Sequence, residues 1–415
     1  MKVVFSHPTG NANVRAATSG LMNAGLLSHF NTTIASFPGG VLDRIGGIGI
    51  FSEIRRRRFD PSLKSITTTS PWREIGRLAA LKAGFSALHK HETGKLSIDA
   101  VYQSLDKEVS TNLKKFKRKG VRAVYAYEDG AAATFEEAKR LDLQCLYDLP
   151  TGHWRAARRL LEIEKENWPE WTATMTGLKD SATKLERKDK EIRLADKIFV
   201  ASKFTASTLK DFTGEHAPIE VIPYGFPPVV SSRQYADITK NDKIKLLFVG
   251  TLSQQKGIAN LFKAIEGLED SVTLTVVGHK TCDNCVPLNA ALAKHHWIPS
   301  LDHPSILKLM RENDVLIFPS LFDGFGLVIT EAMSQGTPVI ATNRSAGPDL
   351  IDHGKNGWLV EAGSTLELKN SIEGLIDKPE LIAAAGRQAM ETARGRQWDV
   401  YKEELAAAIR KHLSL

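Results

Sequence analysis

Cysteine is nearly missing from this chain: three residues, Cys145, Cys282 and Cys285, in 415 positions. That excludes a disulfide framework. Cys282 and Cys285 form a single C-x-x-C with His279, His295 and His296 close in sequence. A structural zinc site would normally show a second spaced pair, and a thioredoxin-type context is lacking, so neither a metal nor a redox centre is expected. Nowhere do eighteen apolar residues run together, which excludes a spanning helix. The chain opens on MKVVFSHP, a strand pattern without a charged and apolar leader, and the expectation is a cytoplasmic protein. Aromatic residues make up 7% and are not laid out as a base-stacking platform. No nucleic-acid motif accompanies them, so nucleic acid is not an expected partner.

What is present is a soluble globular composition, with 42% hydrophobic and 25% charged residues. The length exceeds one ordinary core and suits two domains of roughly 150 to 200 residues. The polar, aperiodic stretch SSRQYADITKND reads as a linker, which gives residues 1–230 as a first domain, 243–395 as a second, and 396–415 as a terminal helix. Charge is unevenly divided between them. Residues 1–240 carry a balance of +10 and residues 241–415 one of −3, while residues 1–122 alone hold 20 basic against 8 acidic side chains. Such a one-sided field suits an anionic partner of the first domain.

The most informative stretch is DVLIFPSLFDGFGLVITEAMSQGTPVIAT, from Asp314 to Thr342. It reads as a buried strand, a glycine turn, a helix from about Leu327 to Gln335, a stop at Gly336 and a second buried strand. This is a strand-helix-strand unit of a parallel sheet. Gly324 and Gly326 let the backbone approach a ligand, and the unpaired N–H groups of the helix start favour anionic or sugar oxygens. Asp323 stands at the mouth of the turn, with Glu331 eight residues on, among Val328, Ile329, Ala332 and Met333. A lone Asp and Glu would ordinarily be a cap and a solvated acid. An acid among apolar neighbours instead needs a partner, and a pair of ligand hydroxyls is one.

Other turns fall at strand ends in the same manner. After Lys2 to Ser6 comes HPTGNANVRAA, where Gly10, Asn11 and Arg15 sit between a first strand and a helix beginning near Val14. Residues 31–38 (NTTIASFP) read as the next strand. Then SEIRRRRFDPSL and SPWREIGRLAALKAGFSALHKH mix Arg55 to Arg58, Arg73, Arg77 and Lys82 with Phe51, Phe59, Trp72, Ile75, Leu78, Leu81 and Phe85 at helical spacing. A basic, aromatic-tipped segment of this kind suits an anionic membrane surface, and equally a solvated helix over a core. NLKKFKRKGVR, residues 112–122, ends a helix with more cations than a cap needs. His153 follows strand 143–147 and a Pro-Thr-Gly turn beside Asp148, at an edge where a cleft would lie, although a histidine there is usually packed. In the second half, IKLLFVGTLSQQKG ends a strand at Gly250 and brings Lys256 to a loop before a helix, where a cation would meet an anionic ligand. Strands follow at 272–278 and at HHWIPSL, 295–301, and Trp398, Tyr401, Leu405, Ile409 and Leu413 share one face of the last helix.

FDGFGLVITEAMSQGTPVIAT resembles the donor-site signature of the retaining glycosyltransferases of family 4, which carry Glu, seven residues, Glu within EGFGLVxxEAMAxGxPVI. ADKIFVAS and VIPYG are similar to further segments of that family. The resemblance implies an α/β protein of GT-B fold: two Rossmann-like doubly wound parallel-sheet domains facing a cleft, the C-terminal helix crossing back to the first. It implies transfer of a sugar from a nucleotide-diphosphate donor to a hydroxyl with retention, without metal or cofactor. Glycolipid or cell-envelope polysaccharide is the acceptor class it implies, at the inner face of a membrane. Carried over by position, Asp323 orients the sugar, Lys256 meets the diphosphate and His153 lies near the reacting carbon. Gly250, Leu301, Gly324, Phe325, Gly326, Leu327 and Glu331 line the donor, Leu301 at the nucleobase and Glu331 at the ribose. Gly10, Asn11 and Arg15 face the cleft or acceptor. Asp323 stands where the family usually has Glu, which keeps the carboxylate but shortens it by a methylene. Thr251, Gln254 and Gln255 supply no second cation to the phosphate loop. A non-catalytic sugar-nucleotide or glycan-binding subunit, or an epimerase or phosphorylase on the same fold, stays open as an alternative.

Overall fold

The computed structural model describes residues 1–45, 57–175, 177–237, 239 and 242–414. Short apolar runs rich in Val, Ile, Phe and Tyr form the strands, because a strand covered on both faces must be apolar on both. The first sheet holds β1 (Lys2–Ser6), β2 (Leu27–Thr32), β3 (Thr67–Thr69), β4 (Val121–Tyr127), β5 (Gln144–Leu149), β6 (Lys197–Val200) and β7 (Ile219–Val221), in the order β3-β2-β1-β4-β5-β6-β7. The second holds β8 (Ile244–Val249), β9 (Val272–Val277), β10 (His296–Ile298), β11 (Val315–Phe318), β12 (Val339–Thr342) and β13 (Gly357–Val360), in the order β10-β9-β8-β11-β12-β13. Every pairing among them is parallel. Strand order reverses between β1 and β4 in one sheet and between β8 and β11 in the other, and ligands of open α/β sheets bind at such switch points. The loops after β1, β8 and β11 are those carrying Gly10, Gly250 and Asp323.

Three elements differ from the sequence expectation. The second strand is Leu27–Thr32 rather than residues 31–38, since pairing with β1 begins at Leu27 opposite Val3 and the chain leaves the sheet after Thr32. Beyond it the Thr33 hydroxyl donates to Pro8 O at 2.5 Å, turning the segment toward the loop after β1. Only His296–Ile298 of residues 295–301 pairs, against β9. The polar linker is not free: Arg233 Nη2 donates to Asn313 O at 2.6 Å and the Tyr235 hydroxyl to Gly336 O at 2.9 Å, which fasten it to the second domain. The first domain also reaches into the second core. Trp171, in the turn Pro169–Thr174, stacks on Phe262 with ring centroids 6.1 Å apart, and Thr174 Oγ1 accepts from Gln254 N at 2.9 Å.

The helix Trp72–Lys82 turns Trp72, Ile75 and Leu81 outward, one of the two orientations its apolar spacing allowed. Glu74 is fully buried, paired with Arg57 and bonded by Arg77 Nε and Nη2, both at 2.7 Å, and Arg57 donates on to Pro8 O at 2.9 Å. A buried carboxylate needs such partners, and they fix the helix with its apolar side outward. Trp72 is 83% exposed and Phe85 61%, with Ile75, Leu81 and Leu88 also exposed. Phe51, Arg55 and Arg56 lie outside the described residues. No helix among the described residues is long and apolar enough to cross a membrane.

The terminal helix Trp398–Leu413 packs on the helix Ala12–Asn23 of the first domain and buries Tyr401, Leu405 and Ile409. Gly20 makes the crossing close: a Cβ there would lie 2.9 Å from Lys402 Cα. Gly20→Val is therefore expected to force the helices apart and cost about 1 to 3 kcal/mol. Thermal unfolding should show a lowered Tm, and an unchanged Tm would contradict this packing.

Candidate functional site

The turn after β11 is built from both domains. Asp323 N donates to Arg344 O at 3.1 Å, and Asp323 Oδ1 accepts from Phe325 N at 3.2 Å, so the carboxylate closes the elbow on itself. Its other oxygen pairs with Lys256 Nζ. Gly324 touches the first domain directly: a Cβ would meet Pro150 O at 2.0 Å, and Gly324 O accepts from Ser202 Oγ at 2.6 Å and Thr205 Oγ1 at 2.9 Å. No residue with a side chain fits that approach. Phe325 is buried against Tyr224, their centroids 4.8 Å apart, so its ring serves the core and leaves its backbone to the turn. Gly326, at φ 84°, precedes the helix Leu327–Ser334.

Glu331 lies on that helix, about one-fifth exposed, with Oε1 3.1 Å from Nε2 of His303, the first residue of the helix His303–Glu312. The hydrogen bond to Glu331 raises the His303 pKa, burial works against it, and Arg15 of the first domain also lowers it. Arg15 Nη1 donates to Gly10 O, and Arg15 N to Asn11 O at 3.0 Å, so the loop after β1 holds this guanidinium. Gly250 N donates to Val277 O at 2.9 Å where β8 ends, and Leu301 is half-buried beside the core.

A cavity of about 240 Å³ opens between the domains at the elbow. Lys256, Asp323 and Gly324 form one wall, and Thr151, Trp154, Arg158 and Lys188 the other. Lys188 lies within 3.3 to 3.7 Å of Glu128, Asp129 and Asp180. Burial disfavours its charge, but these carboxylates outweigh it and raise the lysine's pKa.

His153 is not on the cavity wall. Sequence spacing put it at the cleft; its ring is instead buried, with Nε2 3.1 Å from Asp189 Oδ1 and an edge contact to Phe212, and burial lowers its pKa. The neighbouring Trp154 and Arg158 face the cavity, because the helix Trp154–Asn167 starts one residue later. Asp148 is likewise internal: Tyr125 donates to it at 2.6 Å, and burial pushes its carboxyl up to about 7. Sequence reasoning also missed Ser202 and Thr205, although the S-x-x-T spacing before a short helix is a capping signal, realised as Thr205 N donating to Ser202 Oγ at 3.0 Å.

Among the described residues one group, His91, Glu92 and Asp180, brings metal-ligand atoms within 4.8 Å of one another. Asp180 is already paired there with Lys184 at 3.1 Å and Glu92 Oε1 accepts from Ser181 N at 2.8 Å. All three cysteines are free thiols, and Cys285 is buried with Sγ 3.6 Å from Glu170 O.

Two parallel-sheet Rossmann-like domains meeting at their switch points define a GT-B fold. Among solved structures, HepE of Anabaena, in complex with UDP, shares it with a TM-score of 0.62 at 18% identity, over 99% of this chain and 100% of that one. Residues 232–392 match the family model described as Glycosyl transferases group 1. The D-inositol 3-phosphate glycosyltransferase of Arthrobacter sp. strain FB24 is 29% identical over 238 residues, 51% of this chain and 55% of that protein. The capsular polysaccharide biosynthesis glycosyltransferase CapM of Staphylococcus aureus is 30% identical over 167 residues, 36% of this chain and 42% of its own length. The chain thus spans about half the length of these curated relatives. The family match and the relatives' names support a GT-B glycosyltransferase.

The His303–Glu331 pair gives a direct check on this geometry. A raised imidazole pKa means the pair's stabilisation is complete below the ordinary value of about 6.5 and fades as pH rises through the folded value. NMR titration of His303 should move back toward about 6.5 in Glu331→Gln. An unshifted titration would separate the two side chains.

Proposed function

We propose that the chain is a retaining glycosyltransferase that moves a sugar from a nucleotide-diphosphate donor to a hydroxyl of a glycolipid or cell-envelope polysaccharide. The observation that carries this reading is the glycine elbow between Asp323 and Glu331, at the switch point of the second sheet and facing a cavity closed by the first. Donor binding exchanges partners on both sides of it. A phosphate takes the Lys256 ammonium from Asp323, which frees that carboxylate for sugar hydroxyls, and the ribose takes Glu331 from His303. The N–H groups at the start of the helix Leu327–Ser334 face the same oxygens.

The difficult step is breaking the bond between the anomeric carbon and the diphosphate oxygen, whose electron pair leaves with the phosphate. Lys256 and the helix amides are fixed donors aimed at that growing charge, usually the largest catalytic contribution. The acceptor oxygen bonds to the same face of the anomeric carbon, and its proton passes to the departing phosphate. This handling of charge assigns no role to a metal or a cofactor. HepE's complex with UDP and CapM's capsular name support the donor and acceptor classes. A second reading, a non-catalytic sugar-nucleotide-binding subunit, is favoured by the Lys256–Asp323 pair, which neutralises the one lysine of the phosphate loop.

Glu331→Ala and Lys256→Ala are each expected to lower turnover at least about tenfold, a barrier increase of about 1.4 kcal/mol or more, with circular dichroism unchanged. Near wild-type rates in both would end the assignment. Nucleotide binding without transfer from any common donor would favour the second reading.

The exposed Trp72, Ile75, Phe85 and Leu88, on a lobe rich in Lys and Arg and tied by Arg57 to the loop after β1, support a seat on an anionic membrane at the inner face, next to the cleft. The protein should sediment with phosphatidylglycerol vesicles, be released by high salt, and bind less when Trp72 and Phe85 are changed to Ser. Binding indifferent to lipid charge, salt and both side chains would remove the membrane from the proposal.

A further inference from the structure

The helix Trp154–Asn167 carries three arginines within one and a half turns, and their environments differ. Arg155 Nη1 is 2.8 Å from Asp189 Oδ2, and Arg159 Nη2 is 2.9 Å from Asp211 Oδ2. Arg158, between them, lines the cavity at the elbow and forms no ion pair with a carboxylate among the described residues. Its recorded contacts are a long hydrogen bond from Nη2 to the Asp180 carbonyl at 3.4 Å and the Trp154 ring, whose centroid lies 5.2 Å away. The other two cations on the wall are already compensated, Lys188 by three carboxylates and Lys256 by Asp323. A half-buried guanidinium beside an indole, lining a cavity and without a carboxylate partner among the described residues, suits a two-pronged anionic oxygen group.

We propose that Arg158 receives an anionic group of the bound substrate: a phosphate of the donor, or a carboxylate on the sugar being transferred. The inference rests on the reading that a sugar nucleotide lies against Asp323. At about 240 Å³ the cavity falls below the roughly 300 to 1,000 Å³ of pockets that enclose a whole drug-sized ligand, so it suits the sugar-phosphate end rather than the base. The phosphate loop of the second domain, with Thr251 and Gln255 flanking its one lysine, leaves room for a cation supplied from the first domain. Arg158 is then a positioning group that engages only when the two domains hold the ligand between them.

Isothermal titration of the full chain with inorganic pyrophosphate, UDP-glucose and UDP-glucuronate tests this, with Arg158→Gln, Arg158→Lys and, as a control on the same helix, Arg159→Gln. Arg158→Gln should weaken binding at least tenfold, Arg158→Lys should fall between it and wild type, and Arg159→Gln should match wild type. Weakening already seen with pyrophosphate identifies the donor phosphates as the source. Weakening confined to UDP-glucuronate identifies a sugar carboxylate. UDP-glucose and UDP-glucuronate binding that ignores Arg158 overturns the inference while leaving the donor reading intact. Arg158-dependent binding of pyrophosphate with neither sugar nucleotide bound counts against that reading and overturns the inference that rests on it, as does no binding of any probe.

Discussion

Everything at the cleft depends on one close approach, that of the Gly324 backbone to Pro150 across the domain boundary. Because nothing projects from the α-carbon, Ser202 and Thr205 reach the Gly324 carbonyl, and the turn that carries Asp323 is held against the first domain. Within the second domain Asp323 pairs with Lys256 and Glu331 contacts His303. Each keeps a partly buried carboxylate compensated.

The sequence made the elbow, the flanking acids, Lys256 and the alternation of strands and helices legible, because each is written in local chemistry: glycine where the chain must turn tightly, apolar runs where strands are covered on both faces. Harder to see were features whose cause lies far away in the chain. Glu74 is buried with Arg57 as its partner, and that pairing, invisible in the spacing, decides between the two orientations the apolar residues of its helix allowed. His153 is drawn inward by Asp189, thirty-six positions on, while Trp154 and Arg158 of the helix it precedes line the cavity. Ser202 and Thr205 announce only a cap in sequence; their bonds to Gly324 depend on the docking of two domains.

The two domains do not divide charge or contacts evenly. The first is basic and presents an apolar helix beside the loop after β1, whereas the second contributes the glycine turn and the helix start. On the proposed reading, one domain would recognise an acceptor at a charged surface and the other would grip a diphosphate, with the cavity between them as the meeting place.

The turn Pro169–Thr174 adds a constraint of a different kind. Trp171 is a plug of the second domain's core borrowed from the first, and with the fastened linker and the returning terminal helix it makes the chain pass between the lobes at three places. A second lobe cut out at its sheet boundaries would leave an indole-sized hole beside Phe262, so the two halves are better regarded as parts of one folding unit than as interchangeable modules.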